Sequence, residues 1–334
     1  MTARPLFATA LLLSAAAALA QSRTNLDQSS YTELHDPPFP IKSGLKIVPA
    51  AEAGLHDDDL VIGIVVAGEA RAYPVNLMWD PPNESLNDTL GGARIVATWC
   101  PVAHSGVVYD RAVDGRPLEL GAVGLDKGVF ILYDRQTHTN WSQITGRALR
   151  GPLGGRSLHK RTSLTTTWGR WRRLQPGTTV YVDPALPGLR RFTEETIARM
   201  TLSGAGPIVN EDLVAGIEGP RGARAYLLRA LAGPRVVNDT LDGDPIVLFL
   251  AEDGVTVRAL RRELGGRVLT FSVEGDLLRD LQTGSSWHPL TGRAQTGPLA
   301  GRSLEPLVVT TALWYAWRSQ RPDTTLWNEP PGTT

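Results

Sequence analysis

A single cysteine, Cys100, stands in a chain of 334 residues, so no internal disulfide can form and the fold must be held by packing. Charge of one sign is missing as well: 34 Lys and Arg balance 34 Asp and Glu. Without a long basic run, a surface able to hold a phosphate backbone is not expected, and nucleic acid is not expected as a partner. After the N-terminal stretch, no run of about 18 or more apolar residues offers a membrane helix. Gly-x-Ser-x-Gly, phosphate-loop and dinucleotide fingerprints are also lacking. Their absence removes the common nucleophile-plus-base and nucleotide-binding architectures.

What is present is an ordinary globular composition, 42% hydrophobic, behind a leader. Met1 to Arg4 gives a charged start, Leu6 to Leu19 is rich in Leu and Ala, and Ala18-Leu19-Ala20 is a small-x-small site. The pattern predicts a signal peptide over 1–20, cut after Ala20. No cysteine follows to carry a lipid, so the mature chain is expected to be soluble and periplasmic or secreted, with no transmembrane segment after cleavage.

The rest of the chain is one unit written twice. Asp134 to Gly177 aligns without a gap on Asp280 to Asp323, with Trp141 on Trp287, Gly-Pro-Leu-x-Gly-Arg-Ser-Leu repeated, and Trp168-x-x-Trp171-Arg on Trp314-x-x-Trp317-Arg. Upstream, Ala70-Arg-Ala-Tyr73 matches Ala223-Arg-Ala-Tyr226, and Asn87-Asp-Thr-Leu90 matches Asn238-Asp-Thr-Leu241. Solenoid repeats recur at roughly 20 to 50 residues; these copies are far longer and read as duplicated domains. The expected layout is an extended lead-in over 21–54, a first unit over 55–183 and a linker with a short capped helix over 184–206. A second, degenerate unit over 207–328 and a tail over 329–334 complete it.

Within each copy the apolar runs are short and β-branched: Leu60 to Ala67, Arg94 to Trp99, Gly106 to Tyr109, Pro117 to Ala122, Val129 to Tyr133 and Thr179 to Val182. Gly-Glu, Asp-Gly-Arg and Gly-Gly pieces between them are hairpin punctuation. Only Thr166 to Leu174 and Tyr73 to Met78 suggest helix. The fold class expected is mainly β: two tandem antiparallel barrel- or sandwich-like domains with a few short helices.

Chemistry, if there is any, should sit at Trp99-Cys100-Pro101-Val102-Ala103-His104, where Cys100 to Gly106 is a short connection between two strands rich in Pro, Gly and small residues. Around it lie Arg71-Ala-Tyr-Pro74, Asn87-Asp88-Thr-Leu-Gly-Gly92, Tyr109-Asp110-Arg111, Tyr133-Asp134-Arg135-Gln136-Thr137, Trp141-Ser142-Gln143, Gly151-Pro152-Leu153 and Thr167-Trp168. In these motifs the chain resembles the bacterial family called domain of unknown function 3179, throughout the first unit and more weakly in the second. The family's central segment commonly reads Cys-Pro-Leu-Cys, and some members carry selenocysteine there, so the resemblance implies redox or metal chemistry. Here Ala103 stands in place of the second cysteine, and Asn83-Glu84 stands where the family often has His-Glu. A dithiol cycle within the loop is therefore excluded.

Cys100 and His104 remain. A nearby imidazolium can lower a thiol pKa from about 8.5 and supply thiolate, so one reading is a catalytic one-cysteine redox or nucleophilic site. Another is a metal site at Cys100 and His104 for a copper or zinc ion. The Cys-x-x-x-His spacing resembles a blue-copper ligand loop, without the downstream Met expected there. A third is a relic cysteine packed beside Trp99. The competing view is a non-enzymatic binding or structural module using a Trp-lined cleft between the units. Asp110, Asp134, Trp141 and Gln143 would line its ligand cleft, and its partner would be a small molecule or a protein. The repeated Gly, Pro and Trp positions are read as structural, and His56-Asp57-Asp58-Asp59 as a solvated turn rather than a cation loop.

Overall fold

The computed structural model of the chain describes residues 32–186 and 211–327, and the expected signal peptide, linker helix and tail lie outside them. Strands dominate, as the short β-branched runs require. In unit one, Leu60–Val66 and Glu69–Pro74 form a hairpin whose turn residues Ala67 and Gly68 both have positive φ. Turns of that kind match the right-handed twist of paired strands. Leu164–Thr167 joins one side of this hairpin, and Thr179–Val182 with Lys46–Pro49 joins the other.

A second sheet orders Lys160–Arg161, Ser105–Asp110, Ala93–Cys100 and Ser85–Leu90; a third runs Thr32–Leu34, Leu120–Asp126, Val129–Asp134, Asn140–Ser142 and Ala148–Arg150. Unit two repeats the first sheet as Thr310–Leu313, Leu213–Glu218, Ala223–Leu227 and Thr324–Leu326, and the other two likewise.

The mainly antiparallel β class holds, with details the sequence left open; Tyr73 to Met78, expected as helix, instead ends the strand Glu69–Pro74 and makes one 3-10 turn at Val75–Leu77. The pairing is not wholly antiparallel, because Thr179–Val182 runs parallel to Glu69–Pro74, as Thr324–Leu326 does to Ala223–Leu227. In each unit a short helix, Trp168–Leu174 or Trp314–Gln320, intervenes before the last strand and returns it to the sheet in the same direction. Nor is the lead-in merely extended. Thr32–Leu34 pairs with Leu120–Asp126 and Lys46–Pro49 with Thr179–Val182, covering edges that would otherwise expose unpaired backbone groups.

The shared motif residues tie the sheets of each unit together. Tyr73 donates its hydroxyl to Asp88 at 2.7 Å and Arg71 pairs with the same carboxylate, while Tyr226 and Arg224 hold Asp239 at 2.7 and 2.9 Å. Asn87 gives its amide N–H to the Leu120 carbonyl at 2.7 Å and accepts the Leu120 N–H at 2.9 Å; Asn238 does the same with Phe271, both at 2.8 Å. These contacts mimic a strand ladder between sheets and satisfy backbone groups that burial would strand.

The two units do not have separate cores. One apolar cluster joins Leu60, Trp99, Leu213, Leu248 and Leu313, and the other two also draw on both units. Contacts across the boundary are reciprocal: the helix region of each unit meets the strand-end loop of the other. The Thr166 and Thr256 hydroxyls hydrogen-bond at 2.8 Å and Arg170 pairs with Asp253 at 2.8 Å. On the opposite side, the Leu313 N–H reaches the Ala103 carbonyl at 2.8 Å and the Tyr315 hydroxyl reaches the Val102 carbonyl at 3.1 Å.

Within each unit the helix tryptophan lies on a glycine. A Cβ at Gly63 would come within 2.3 Å of the Trp171 ring, and one at Gly216 within 2.4 Å of Trp317. Each indole N–H is also held, to Thr178 and Thr324, both at 2.9 Å. Gly63→Ala and Gly216→Ala are each expected to destabilise the protein by about 1–3 kcal/mol through overpacking. Urea unfolding followed by tryptophan fluorescence should show a lower midpoint for both; a change under about 0.5 kcal/mol would mean that the rings are free to move.

Candidate functional site

Cys100 ends the strand Ala93–Cys100 and faces Ser105 across a tight loop, Pro101 to His104. The loop closes with His104 at φ +49, and successive residues of the strand point to opposite faces. The structure therefore separates what the spacing suggested would meet. Trp99 belongs to the core cluster on one face and the His104 imidazole sits edge-on to its ring at 6.0 Å, whereas Cys100 belongs to the cluster on the other face, with Val96, Phe130 and Trp141.

Cys100 is 0% exposed, and burial, reinforced by the nearby Glu84 carboxyl, pushes its thiol up to about 12. Backbone N–H groups of Ala103, Phe130 and Val102 work in the opposite direction without reversing the shift. The free thiol is held protonated and away from solvent, so it is a poor nucleophile. No group of three or more His, Cys, Asp or Glu side chains suited to a metal ion occurs among the described residues. The Cys100 thiol and the His104 imidazole, packed against different clusters, are not brought together as a pair of copper or zinc ligands.

The proposed ligand-cleft residues are also placed elsewhere. Asp134, Trp141 and Gln143 are each 0% exposed. The Trp141 indole donates to Asp134 at 3.1 Å, and that carboxylate also accepts from the Thr137 N–H and hydroxyl at 2.6 and 2.7 Å. Trp287, Asp280 and Thr283 repeat the arrangement in unit two. Gln143 donates to Thr98 and to the Ser105 carbonyl, both at 3.0 Å, and accepts the Ser105 hydroxyl at 2.7 Å, which uses up its amide. Asp110 alone is partly open, bound to His159 at 3.0 Å and paired with Arg161. Trp141 and Trp287 are thus core indoles rather than cleft walls.

Two residues that motif reasoning passed over shape the Cys100 site. Glu84 is one: burial first, and the neighbouring Asp80 second, push its carboxyl up to about 8. Tyr315 is the other. Its hydroxyl donates to the carbonyls of Val102 and Gly128, at 3.1 and 3.2 Å, sealing the cysteine loop from unit two. Ser142 completes the closure by donating to Gln320 at 2.8 Å.

In unit two the counterpart of Cys100, Ala251, is also buried, but its neighbours border an open hollow. Counterparts follow from the backbone: Trp99 donates to the Glu84 carbonyl at 3.0 Å as Leu250 does to Arg235 at 2.8 Å. Arg235 thus replaces Glu84, Phe249 replaces Thr98, Ala251 replaces Cys100, and His288-Pro289 replace Ser142-Gln143. Where Tyr315 covers the cysteine loop, unit one offers Gly169, whose Cβ position is already taken by Asp57 at 2.8 Å. The hairpin that presses Phe130 on Cys100 has strands of seven and six residues in unit one and of four each in unit two. With the lid residue gone and the hairpin shortened, a cavity of about 670 Å3 remains, walled by Arg170, Arg173, Arg235, His288, Leu290 and Arg293. A second hollow of about 800 Å3 lies along the boundary by Lys160, Glu218 and Arg321, whose charges pair with one another. Comparing the two copies position by position, rather than searching for motifs, is the signal that would have found the open site.

A sequence model of the family described as protein of unknown function (DUF3179) matches this chain twice, over residues 41–201 and 192–334. No curated protein and no solved structure matches it.

Cys100 is expected not to react with Ellman's reagent in the folded protein at pH 8 and to give one equivalent after denaturation. Rapid reaction of the native thiol would overturn its assignment to the core. Glu84 generates a pH dependence. Its folded pKa is raised, so the native state keeps a proton that the unfolded chain releases. Its contribution is complete below the ordinary carboxylate range and is lost as pH rises toward 8. Melting temperatures should therefore fall by a few degrees between about pH 5 and pH 8, and less in Glu84→Gln, which keeps the shape without the titration. Identical pH profiles for the two proteins would remove this role.

Proposed function

Because the chain belongs to the DUF3179 family, in two tandem copies, we propose that the duplication has divided labour. The first copy is a closed scaffold, and the second holds a small ligand without chemistry. The observation that carries this reading is the contrast between equivalent surroundings: those of Cys100 are closed by Tyr315, whereas in unit two a hollow of about 670 Å3 opens beside Arg235, Phe249 and His288, the counterparts of Glu84, Thr98 and Ser142. That size suits a small molecule, and sites of this kind favour boundaries between domains. The competing thiol-redox or metal reading needs a reachable thiolate beside an imidazole, and the burial of Cys100 speaks against it.

The leader at 1–20 supports export, so the proposed place of action is the periplasm or the exterior. Amino-terminal sequencing of the exported protein is expected to begin at Gln21. Ligand binding is tested by thermal shift across a panel of small metabolites. A true ligand raises the melting temperature of the wild type and of Cys100→Ser alike, and loses its effect in Gln295→Trp, which fills the cavity from an exposed position on its wall. Stabilisation that survives Gln295→Trp, or that disappears in Cys100→Ser, would place the site elsewhere.

A further inference from the structure

Resting on the reading of unit two as the ligand-holding copy, the geometry points to a small organic oxyanion, a carboxylate or phosphate carried on an apolar body, as the class of molecule that the cavity takes. We infer this from the way its charges are committed. Arg170 is spent on Asp253 at 2.8 Å, a carboxylate also loaded by the Thr256 hydroxyl at 2.6 Å and by two backbone N–H groups. Arg235 is spent on Glu252 at 2.8 Å and lies over the Phe249 ring at 5.5 Å from its centroid. Arg173 and Arg293 line the same space and form no ion pair among the described residues. Two guanidiniums are therefore left to face a ligand, and the planar fork of each matches the geometry of an oxyanion.

His288 adds a neutral donor. Its Nδ1 accepts the N–H groups of Leu290 and Thr291, both at 3.3 Å, which leaves the proton on Nε2. Burial, with Arg170 nearby, lowers its pKa, so the ring enters the site as an N–H donor rather than as a third cation. Phe249, Leu174 and Leu290 supply the apolar part of the wall. One group opposes the assignment: Asp276, on the shortened hairpin, is a lining carboxylate without an ion pair among the described residues. It repels an anion and so provides a control.

The filled position in unit one shows that this charge pattern is not a requirement of the fold. There the counterparts of Arg170, Arg173, Arg235 and His288 are Ala316, Ser319, Glu84 and Ser142, while Arg293 keeps an arginine counterpart in Arg147, so the same backbone closes with most of the cationic wall absent.

The test is binding of benzoate, phenyl phosphate and the neutral benzyl alcohol to the full-length protein, by calorimetry and by the His288 imidazole signals in NMR. The two anions are expected to bind and to shift the His288 signals, and benzyl alcohol to bind at least tenfold more weakly. Removing one unpaired guanidinium, in Arg173→Gln or Arg293→Gln, should weaken anion binding about tenfold or more. Asp276→Asn should tighten it. The ratio of phenyl phosphate to benzoate affinity separates a phosphate ligand from a carboxylate one. If benzyl alcohol binds as tightly as the anions and still moves His288, the anion assignment fails while the cavity remains the binding site. If none of the three moves His288 and Gln295→Trp changes nothing, both the class and the site are wrong.

Discussion

The structure depends on one reciprocal contact: each unit lays its tryptophan helix against the strand-end loop of the other. The Leu313 N–H meets the Ala103 carbonyl on one side, and Arg170 meets Asp253 on the other. Because neither unit encloses its own core, the contact is part of folding rather than an association of finished domains. It also means that every loop able to carry chemistry in one copy is built partly from the other. Whether a loop is open or shut is decided across the boundary.

That coupling explains how a symmetric plan yields two different sites. At Cys100 the opposite helix contributes Tyr315, which bonds two carbonyls and leaves the thiol dry and protonated. At the matching place the opposite helix contributes Gly169 and Arg170, the first too small to cover and the second charged. Low dielectric acts differently on the two. It silences a buried thiol and a buried carboxyl in unit one, whereas the unpaired guanidiniums of unit two stay exposed at an open hollow.

Much of the scaffold was legible. Short β-branched runs separated by Gly-containing turns became hairpins in register, and Trp168 to Leu174 became a helix, because local patterning and tertiary demand agree there. The repeated motifs Arg-x-Tyr, Asn-Asp and Asp-x-x-Thr proved to be fasteners within each unit, a role that repetition alone did not reveal. The candidate site was legible only in part. Cys100 and His104 lie four positions apart in the chain, but strand alternation puts Cys100 on the face opposite Trp99, and it is the Trp99 ring that the His104 imidazole meets. Trp141 and Gln143 look like cleft residues until their buried partners Asp134 and Ser105 are seen.

The sequence by itself determined the duplication, the strand-rich class and the residues that fasten each unit, since these rest on local propensity and on patterns visible in one dimension. Only the tertiary structure decided which copy has room for a ligand. Openness depends on a hairpin a few residues shorter, on a glycine in place of Tyr315, and on which arginines already have partners. All three are relations between segments distant in the chain. A cysteine that stands alone in the sequence draws attention as chemistry; its burial at 0% exposure makes it packing, and the space for function falls to the copy that lacks it.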